Sequence, residues 1–470
     1  MQCSREGKMP INSFENYPMS WKPILQESSQ PLYLFLAGQL EKDIKAGLLL
    51  PGTKLPPQRE LADFLDLNVS TITRAFKLCT QKGLLNGKIG SGTFVAYNAL
   101  ECFKMLPKAD ANNLIEMGSM SPALTSRQEL SHILQNMVKE DNFGQLMHYG
   151  LDHGPAWQKE AAARFITKMG YKTCSEKVLP AAGGQNAIAA ILAGLFNAGD
   201  SIGVDPLTYP GLKSAANMLG IKLIPIAQKN GEMSETGLLK ACTNDHIKGI
   251  YIIPEFQNPT AHMMSAKCKK MLAKIASQRE LIIIEDGIFC FYNTKPRQAI
   301  AEFAAENVVF IASFSKAIAP GLRLSYIISP ERYYNALSDA LYNINLTLSP
   351  LLLEIAGRTL VSGKAELLIK EQQGIAGKRN RLLNRILADY EVLGSDNSLF
   401  RWLLLPKGWS GSKFESIAYA RGVQVYGAER FAVGNTKPIA AVRIAVSTPT
   451  FLEFKKGIEI LAAILEKSNI

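Results

Sequence analysis

Residues 312–323 read ASFSKAIAPGLR. The first two of them end the apolar run Val308–Ser313, and such a run is typical of a buried β-strand. A lysine at the end of such a strand can form a Schiff base with an aldehyde, provided that its surroundings keep the amine from being a fully solvated ammonium ion. Ser313, Ser315 and Arg323 add hydroxyl groups and a planar cation suited to binding a phosphate. The segment therefore predicts that Lys316 reacts with an aldehyde that carries a phosphate.

Further apolar runs alternate with longer amphipathic stretches from Glu116 onward. Continuous apolar strands separated by helices are typical of an α/β fold with a mainly parallel sheet covered on both faces. Ligands of such sheets bind at the carboxyl ends of the strands. The other predicted strands are Ser201–Asp205, Lys222–Ala227, Gly249–Pro254, Leu281–Asp286 and Leu324–Ile328.

Polar residues follow several of these strands and fit an aromatic, phosphate-bearing cofactor. Asp286 can pair with a protonated pyridine nitrogen, and the amide of Asn258 can donate to a ring phenolate. Gly183, Gly184 and Gln185 open a helix (Asn186–Phe196) whose free N–H groups can bind phosphate. Tyr209 can stack on the ring.

Over about Glu116–Ile470 the chain resembles the fold-type I aminotransferases. The resemblance implies pyridoxal 5'-phosphate as the cofactor, Lys316 as the catalytic lysine, a smaller C-terminal α+β subdomain, and a homodimer with sites at the subunit interface. It also implies that Tyr149 reaches the phosphate of the partner subunit's cofactor and that Arg443 binds a substrate α-carboxylate. The match rests on Tyr149, Gly183, Gln185, Tyr209, Asn258, Asp286, Ser313, Ser315, Lys316, Arg323 and Arg443.

Four positions depart from that family. Ile288 and Phe289 stand where relatives place a tyrosine that hydrogen-bonds the cofactor's phenolic oxygen, while Ala181 and Ala261 replace a small hydroxyl residue and a glycine. Loss of the tyrosine is expected to raise the pKa of the aldimine and to leave Asn258 as the main phenolate partner. The departures favour binding of the cofactor over efficient turnover.

The N-terminal part predicts a winged helix-turn-helix. A turn at Asp66–Asn68 joins two of its helices, and the second of these is expected to enter the major groove. Ser70 is expected to cap that helix, with Ile72, Ala75, Phe76 and Leu78 facing inward. The predicted elements are helices over Pro31–Ala46, Gln58–Leu65 and Ser70 to about Lys82, then a hairpin of Leu84–Lys88 and Thr93–Ala96 joined through Gly90–Ser91–Gly92.

This region resembles the GntR winged-helix family through the strings LPPQRELA (residues 55–62) and GSGTFV (residues 90–95). The resemblance implies that Arg59, Ser70, Thr71, Arg74 and Gly90 contact double-stranded operator DNA. Val69 stands where relatives often carry an arginine, so a bidentate guanine contact is expected to be missing. A GntR domain ahead of an aminotransferase-like domain is the layout of the MocR regulators.

Composition is compatible with this reading. The net charge of +11 suits a nucleic-acid partner, although the excess is spread along the chain. The seven cysteines form no CxxC pair, which argues against a zinc site or a disulfide framework. No signal peptide or membrane-spanning stretch is expected, so we predict a cytoplasmic protein. The predicted domains are an arm over 1–30, the winged helix over 31–96, a linker over 97–115 and the cofactor domain over 116–470.

The sequence thus predicts a transcriptional regulator that senses pyridoxal 5'-phosphate, or an amino acid or amine effector, through an internal or external aldimine at Lys316. Two alternatives remain open. The chain could be an active aminotransferase that carries a DNA-binding domain, or a dimeric DNA-binding protein with an empty cofactor pocket.

Overall fold

The computed structural model describes residues 19–23, 25, 30–45, 48–49, 53–88, 92–96, 114–123, 127–151, 153–293 and 295–466. These residues form two compact units, a small one within Met1–Cys102 and a large one that comprises most of the chain from Phe103 onward. Each unit is described by itself below.

The small unit is a winged helix-turn-helix. Its core is made by apolar side chains of the three helices, among them Leu36, Ile44, Leu61, Ile72 and Phe76, which are at most 3% exposed. Two short antiparallel strands form the wing and pair Leu85 with Val95. The elements are α1 (Leu32–Lys45), α2 (Gln58–Leu65), α3 (Val69–Gln81), β1 (Leu85–Lys88) and β2 (Gly92–Val95).

The cap of α3 differs from the expectation. Asn68, and not Ser70, is the N-cap residue: its backbone is extended and its side-chain oxygen accepts a hydrogen bond from the Ser70 N–H at 2.9 Å. The amide of Asn68 can reach that donor from just outside the helix, whereas Ser70 already lies in the first turn. Leu78, expected to face inward, is half-buried, and Cys79 is fully buried instead.

The large unit begins with alternating strands and helices. Within the described residues its central sheet has seven strands. The elements up to the end of this sheet are β3 (Ile115–Glu116), α4 (Arg127–Val138), α5 (Ala156–Lys168), β4 (Val178–Ala181), α6 (Gly184–Leu195), β5 (Ser201–Val204), α7 (Pro210–Met218), β6 (Lys222–Pro225), β7 (Gln228–Lys229), β8 (Glu232–Met233), α8 (Glu235–Asn244), β9 (Gly249–Ile252), α9 (Ala266–Arg279), β10 (Ile282–Asp286), β11 (Val308–Ser313), α10 (Phe314–Ala317) and β12 (Ser325–Ile328).

The expectation of a mainly parallel sheet is confirmed, with one reversed strand. The seven strands lie in the order β4-β12-β11-β10-β9-β5-β6. β12 pairs antiparallel with both β11 and β4, while the other neighbours pair parallel. The connection from β11 to β12, residues 314–324, is too short for the crossover that a parallel pair requires. It therefore turns back at the edge of the sheet and holds Lys316 there. β4 lies outside the predicted strands and forms an edge of the sheet, where Pro180 is tolerated.

Both faces of this sheet are covered by helices. On one face Ile284, Ile311 and Ile327 pack with residues of α6 and α7, while on the other Ile283 and Ile250 pack with residues of α8 and α9. Because side chains alternate along a strand, Tyr251, Asp286 and Ser313 belong to the face covered by α6 and α7.

The C-terminal part forms a smaller α+β layer, as the fold class predicts. The strands of its antiparallel sheet lie in the order Val392–Leu393, Phe400–Leu404, Ala441–Ala445 and Tyr426–Gly427. A further short strand, Val423–Gln424, pairs parallel with β3. Within the described residues no helix combines the length and the apolar character needed to span a bilayer. The elements are α11 (Glu331–Asn345), α12 (Pro350–Val361), α13 (Lys364–Ile386), β13 (Val392–Leu393), β14 (Phe400–Leu404), α14 (Gly411–Ala420), β15 (Val423–Gln424), β16 (Tyr426–Gly427), β17 (Ala441–Ala445) and α15 (Phe451–Glu466).

We expect Asn68→Ala to lower the free energy of unfolding of α3 by about 1 kcal/mol, because the Ser70 N–H loses its acceptor. Native-state hydrogen exchange of the α3 amides in the full-length protein measures this change. Asn68→Asp, which keeps a side-chain acceptor at the cap, should exchange like the wild type. Equal protection of α3 in the alanine variant and the wild type would contradict the assigned cap.

Candidate functional site

The predicted site residues converge at the carboxyl ends of the parallel strands. Asp286 ends β10, Ser313 ends β11, and Lys316 lies in the short helix that follows. Gly183 and Tyr209 each immediately precede a helix that begins at the same edge of the sheet. Side chains that are far apart in the sequence thus lie together at the carboxyl edge of the central sheet.

The Lys316 amine is half-buried and donates a hydrogen bond to the Met120 carbonyl oxygen. Burial first, and then the positive charges of Arg443 and Arg323, lower the pKa of Lys316 to about 8. The Tyr292 hydroxyl donates to the Lys316 carbonyl oxygen at 2.5 Å and so fixes this turn of the chain. The neutral, nucleophilic amine is therefore far more populated at neutral pH than in a solvated lysine.

Asp286 is a buried carboxylate, 5% exposed. Its Oδ2 accepts from the Tyr251 hydroxyl at 2.6 Å and its Oδ1 accepts from the Ile288 N–H at 3.2 Å. Burial raises the pKa of Asp286 to about 6, and these two hydrogen bonds oppose that rise. The group is therefore mostly ionised at neutral pH and can accept a further hydrogen bond.

The turn before α6 has the features of a phosphate site. Gly183 has a φ of 91°, and a Cβ at this position would stand 2.6 Å from Nη2 of Arg323. Only glycine therefore allows the guanidinium to approach the first turn of α6. The Ser313 hydroxyl accepts from the Ser315 N–H at 3.4 Å, and a Cβ on Gly184 would lie 3.7 Å from it. The Ser315 Oγ is buried and has no hydrogen-bond partner within the described residues.

Tyr209 and Gln185 lie on the side of the site nearest α7. The Gln185 amide donates to the Gly211 carbonyl oxygen at 2.8 Å. A Cβ on Gly211 would stand 2.3 Å from the Tyr209 ring, so glycine is needed for this approach. Burial, and next the Asp286 carboxylate, raise the pKa of Tyr209 to about 12. The phenol therefore stays neutral, with its ring beside the Asp286 charge.

Arg443 is fully buried in β17. Its Nη1 donates to Asn258 Oδ1 at 2.6 Å and its Nη2 donates to the Gly118 carbonyl oxygen at 2.6 Å. Burial lowers the pKa of Arg443 to about 10, which leaves it positively charged at neutral pH. Its guanidinium carbon lies 4.9 Å, 5.5 Å and 5.7 Å from the ring centroids of Phe431, Tyr426 and Phe400.

The Gly118–Met120 peptide thus supplies backbone carbonyls to two of the cations of the site, Arg443 and Lys316. It is held by Glu116, which accepts from the Gly118 and Ser119 N–H groups at 2.7 Å each, and by the Thr448 hydroxyl, which donates to the Ser119 carbonyl oxygen at 2.6 Å. A Cβ on Gly118 would stand 2.7 Å from the Tyr426 ring, so only glycine permits this approach.

Tyr149 is not brought to the other site residues. It is 84% exposed, and Met147 and Leu151 beside it are 58% and 69% exposed. The structure therefore presents Tyr149 on the surface of the single chain.

In the small unit, α3 carries a polar, basic exposed face. Ser70, Thr73, Arg74 and Lys77 are exposed at helical spacing, whereas Thr71 is half-buried. Arg59 is exposed in α2, and Gly90 lies outside the described residues. Lys54 adds a cation at the wing. Its side chain lies so close to Gly92 that a Cβ added to this glycine would stand 3.0 Å from the Lys54 Cε.

Several of these residues were not predicted from the sequence. Lys77 has a local signal, since it lies three positions after Arg74 on the same helix face. Tyr251 and Tyr292 lie inside apolar stretches and look like ordinary core residues in the sequence. The carbonyls of Gly118 and Met120 have no side-chain signal at all.

Both units match models of known protein families. Residues 112–461 match the family model described as "Aminotransferase class I and II", and residues 32–95 match "Bacterial regulatory proteins, gntR family". A protein of Bacillus subtilis (strain 168), "Uncharacterized HTH-type transcriptional regulator YdeF", is 50% identical over 97% of this chain and 99% of its own length. "HTH-type transcriptional regulator NorG" of Staphylococcus aureus (strain N315) is 24% identical over 75% of this chain and 86% of its own length.

Among solved structures, an archaeal alanine:glyoxylate aminotransferase is similar to this chain with a TM-score of 0.69 and 25% identity, over 75% of this chain and 91% of its own. A kynurenine aminotransferase of Pyrococcus horikoshii has a TM-score of 0.69 and 21% identity, over 76% and 92% of the two chains. The second match supports the fold alone.

We expect Arg323→Gln to raise the pKa of Lys316, because the variant removes one of the positive charges that lower it. The rate of Lys316 acetylation in the protein without cofactor, followed by mass spectrometry across pH 6 to 11, should show a midpoint near pH 8 in the wild type. Arg323→Lys keeps the charge and serves as the control. A wild-type midpoint at the ordinary lysine value of about 10.4 would contradict the role of burial.

Proposed function

Because this chain belongs to the class I and II aminotransferase family and carries a GntR-family domain ahead of it, we propose that its large unit binds pyridoxal 5'-phosphate and senses an amino acid or amine. The protein is a DNA-binding transcriptional regulator with the MocR arrangement of domains. One observation carries the sensing proposal: the Lys316 amine, with a pKa lowered to about 8, lies beside the Arg443 and Arg323 cations in a chain that also has a recognition helix.

The residues of the site fit this cofactor. The buried Ser315 Oγ lacks a partner within the described residues, and Gly183 leaves the space that the Arg323 guanidinium occupies. Together with the N–H groups at the start of α6, they would bind the phosphate. Asp286 would accept a hydrogen bond from the pyridine nitrogen.

When bound, the cofactor supplies an aldehyde that reacts with amines and a ring that withdraws electrons. The chain's own contribution is to bind and orient. Lys316 offers an amine that is partly neutral, and the Asn258 side chain, whose oxygen accepts from Arg443, has its NH2 left to donate to the ring oxygen. Arg443 would bind the carboxylate of an amino acid as a bidentate partner.

We place DNA on the exposed face of α3. Ser70 and Arg74 face outward there, with Thr73 and Lys77 beside them. Arg59 in α2 and Lys54 at the wing add positive charge, which suits phosphate contacts. Thr71 is half-buried, so we assign it a smaller role than the exposed residues. A protein that acts on the bacterial chromosome works in the cytoplasm, and we propose that location.

A homodimer is part of this proposal. Tyr149 is 84% exposed and is flanked by exposed apolar side chains, a surface that a second copy of the chain would cover. A neighbouring groove adds the side chains of Leu151, Tyr342, Leu346 and Leu348, and its polar lining comes from His153, Asn345 and Thr347. In a dimer, Tyr149 would reach the site of the partner subunit.

The first test measures DNA affinity by fluorescence anisotropy, with a duplex selected by the protein from a random-sequence library. With pyridoxal 5'-phosphate bound, a panel of amino acids and simple amines should include one that changes the affinity by about 5- to 150-fold, the usual range of coupling between two sites. Lys316→Ala should bind DNA but lose this response, and the exposed Lys222→Ala is the matched control. Identical affinity under all conditions would contradict sensing, and conversion of the amino acid to its keto acid would favour an enzyme.

The second test concerns the phosphate. Gly183→Ala should weaken binding of pyridoxal 5'-phosphate by about tenfold or more, the loss expected for a charge-assisted hydrogen bond, because the new methyl group displaces Arg323. Absorbance titration of the protein without cofactor measures this affinity. Gly199→Ala is the control, since Gly199 has a similar φ of 96° but an added Cβ would meet none of the described residues within 4 Å. Equal affinities of the two variants would contradict the assigned phosphate site.

A further inference from the structure

We propose that Tyr251 is a positioning residue that holds the Asp286 carboxylate ready for the ring nitrogen of pyridoxal 5'-phosphate. The inference rests on the proposed function, because it assumes that the large unit binds this cofactor. The sequence gives Tyr251 no role in the site, because there it stands only within an apolar strand.

The sheet register places the two side chains together. Tyr251 in β9 lies opposite Ile284 in β10, and Asp286 follows two positions later. Since side chains alternate along a strand, Asp286 and Tyr251 project from the same face, and an aromatic side chain is long enough to reach the diagonal neighbour. The hydroxyl of Tyr251 indeed lies 2.6 Å from Asp286 Oδ2.

The contact is buried at both ends. Tyr251 is 1% exposed and Asp286 is 5% exposed, so water competes little for either group. Burial raises the pKa of Tyr251 well above its ordinary value, so the phenol remains protonated and acts as the donor. The direction of the hydrogen bond is therefore fixed, from the Tyr251 hydroxyl to the carboxylate.

Asp286 depends on this donor for its charge. A buried carboxylate tends to take up a proton, and the hydrogen bonds from Tyr251 and from the Ile288 N–H oppose that tendency. A carboxylate has about four acceptor positions on its two oxygens. With one position on each oxygen taken, further lone pairs remain for a ring N–H, in an orientation that the two donors fix.

The other explanation of Tyr251 is that it only fills the core. It packs in the cluster between the sheet and α6, together with Ile188 and Ile284. A packing role and a positioning role make different predictions when the ring nitrogen is removed from the cofactor, because only the positioning role acts through that atom.

The test compares pyridoxal 5'-phosphate with its 1-deaza analogue, in which a C–H group replaces the ring nitrogen. Absorbance titration of the cofactor-free protein gives the dissociation constant of each compound. Tyr251→Phe should weaken binding of pyridoxal 5'-phosphate by about 10- to 100-fold, the usual effect of removing a group that orients a ligand-binding residue. The same variant should bind the 1-deaza analogue as the wild type does.

Two further variants make the result specific. Tyr326→Phe is the matched control, because Tyr326 is a buried tyrosine of the same sheet whose hydroxyl has no hydrogen-bond partner within the described residues, and it should bind both compounds normally. Replacing Tyr251 with 4-aminophenylalanine keeps a donor at the same ring position and should restore most of the affinity. If circular dichroism shows that Tyr251→Phe does not fold, the 4-aminophenylalanine variant takes its place, and its affinities for the two compounds are compared with those of the wild type.

Two results would overturn the inference. One is an unchanged dissociation constant for pyridoxal 5'-phosphate in Tyr251→Phe, and the other is an equal loss for both compounds, which would indicate packing alone. Failure of the wild type to bind either compound would instead contradict the proposed function. The two failures are therefore distinguishable in the same titration.

Discussion

One electrostatic constraint organises the large unit: Arg443 is a fully buried cation whose hydrogen-bond partners within the described residues are neutral oxygen atoms. A charge removed from water is costly unless it is paired, and three aromatic rings around the guanidinium offset only part of that cost. The same positive charge contributes to the lowered pKa of Lys316. Asn258 Oδ1 and the Gly118 carbonyl oxygen accept hydrogen bonds from the Arg443 N–H groups, so this one cation ties strand β17 to the segment after β9 and to the segment after β3.

The sequence is sufficient to predict those features that local patterns encode. The bounds of α2 at Gln58–Leu65, the position of Asp286 at a strand end and that of Lys316 just after one follow from apolar runs and their breaks. The reversed direction of β12 could have been inferred from the short connection before it. The contacts of Arg443 with Gly118 could not, because the two residues are 325 positions apart and a carbonyl has no signature in the sequence.

In the small unit, too, the sequence predicts only part of the arrangement, here the positions of the positive charges. Net charge along the sequence is spread out and marks no binding face, but folding brings Lys54 next to Gly92 in the wing and aligns Arg74 with Lys77 on α3. Helical spacing predicts the second pair, since positions three apart share a face. The first pair depends on the antiparallel bridge between Lys54 and Phe94, which only the tertiary structure shows.

The partners of Arg443 leave part of its guanidinium unused. Asn258 Oδ1 and the Gly118 carbonyl oxygen accept hydrogen bonds from two of its five N–H donors, and Nε is buried with no hydrogen-bond partner within the described residues. These donors are already removed from water in the protein alone, so a ligand that accepted from them would not have to displace water from the cation. Such a site rewards the charge of the incoming group, and a carboxylate would gain over a neutral amide of the same shape.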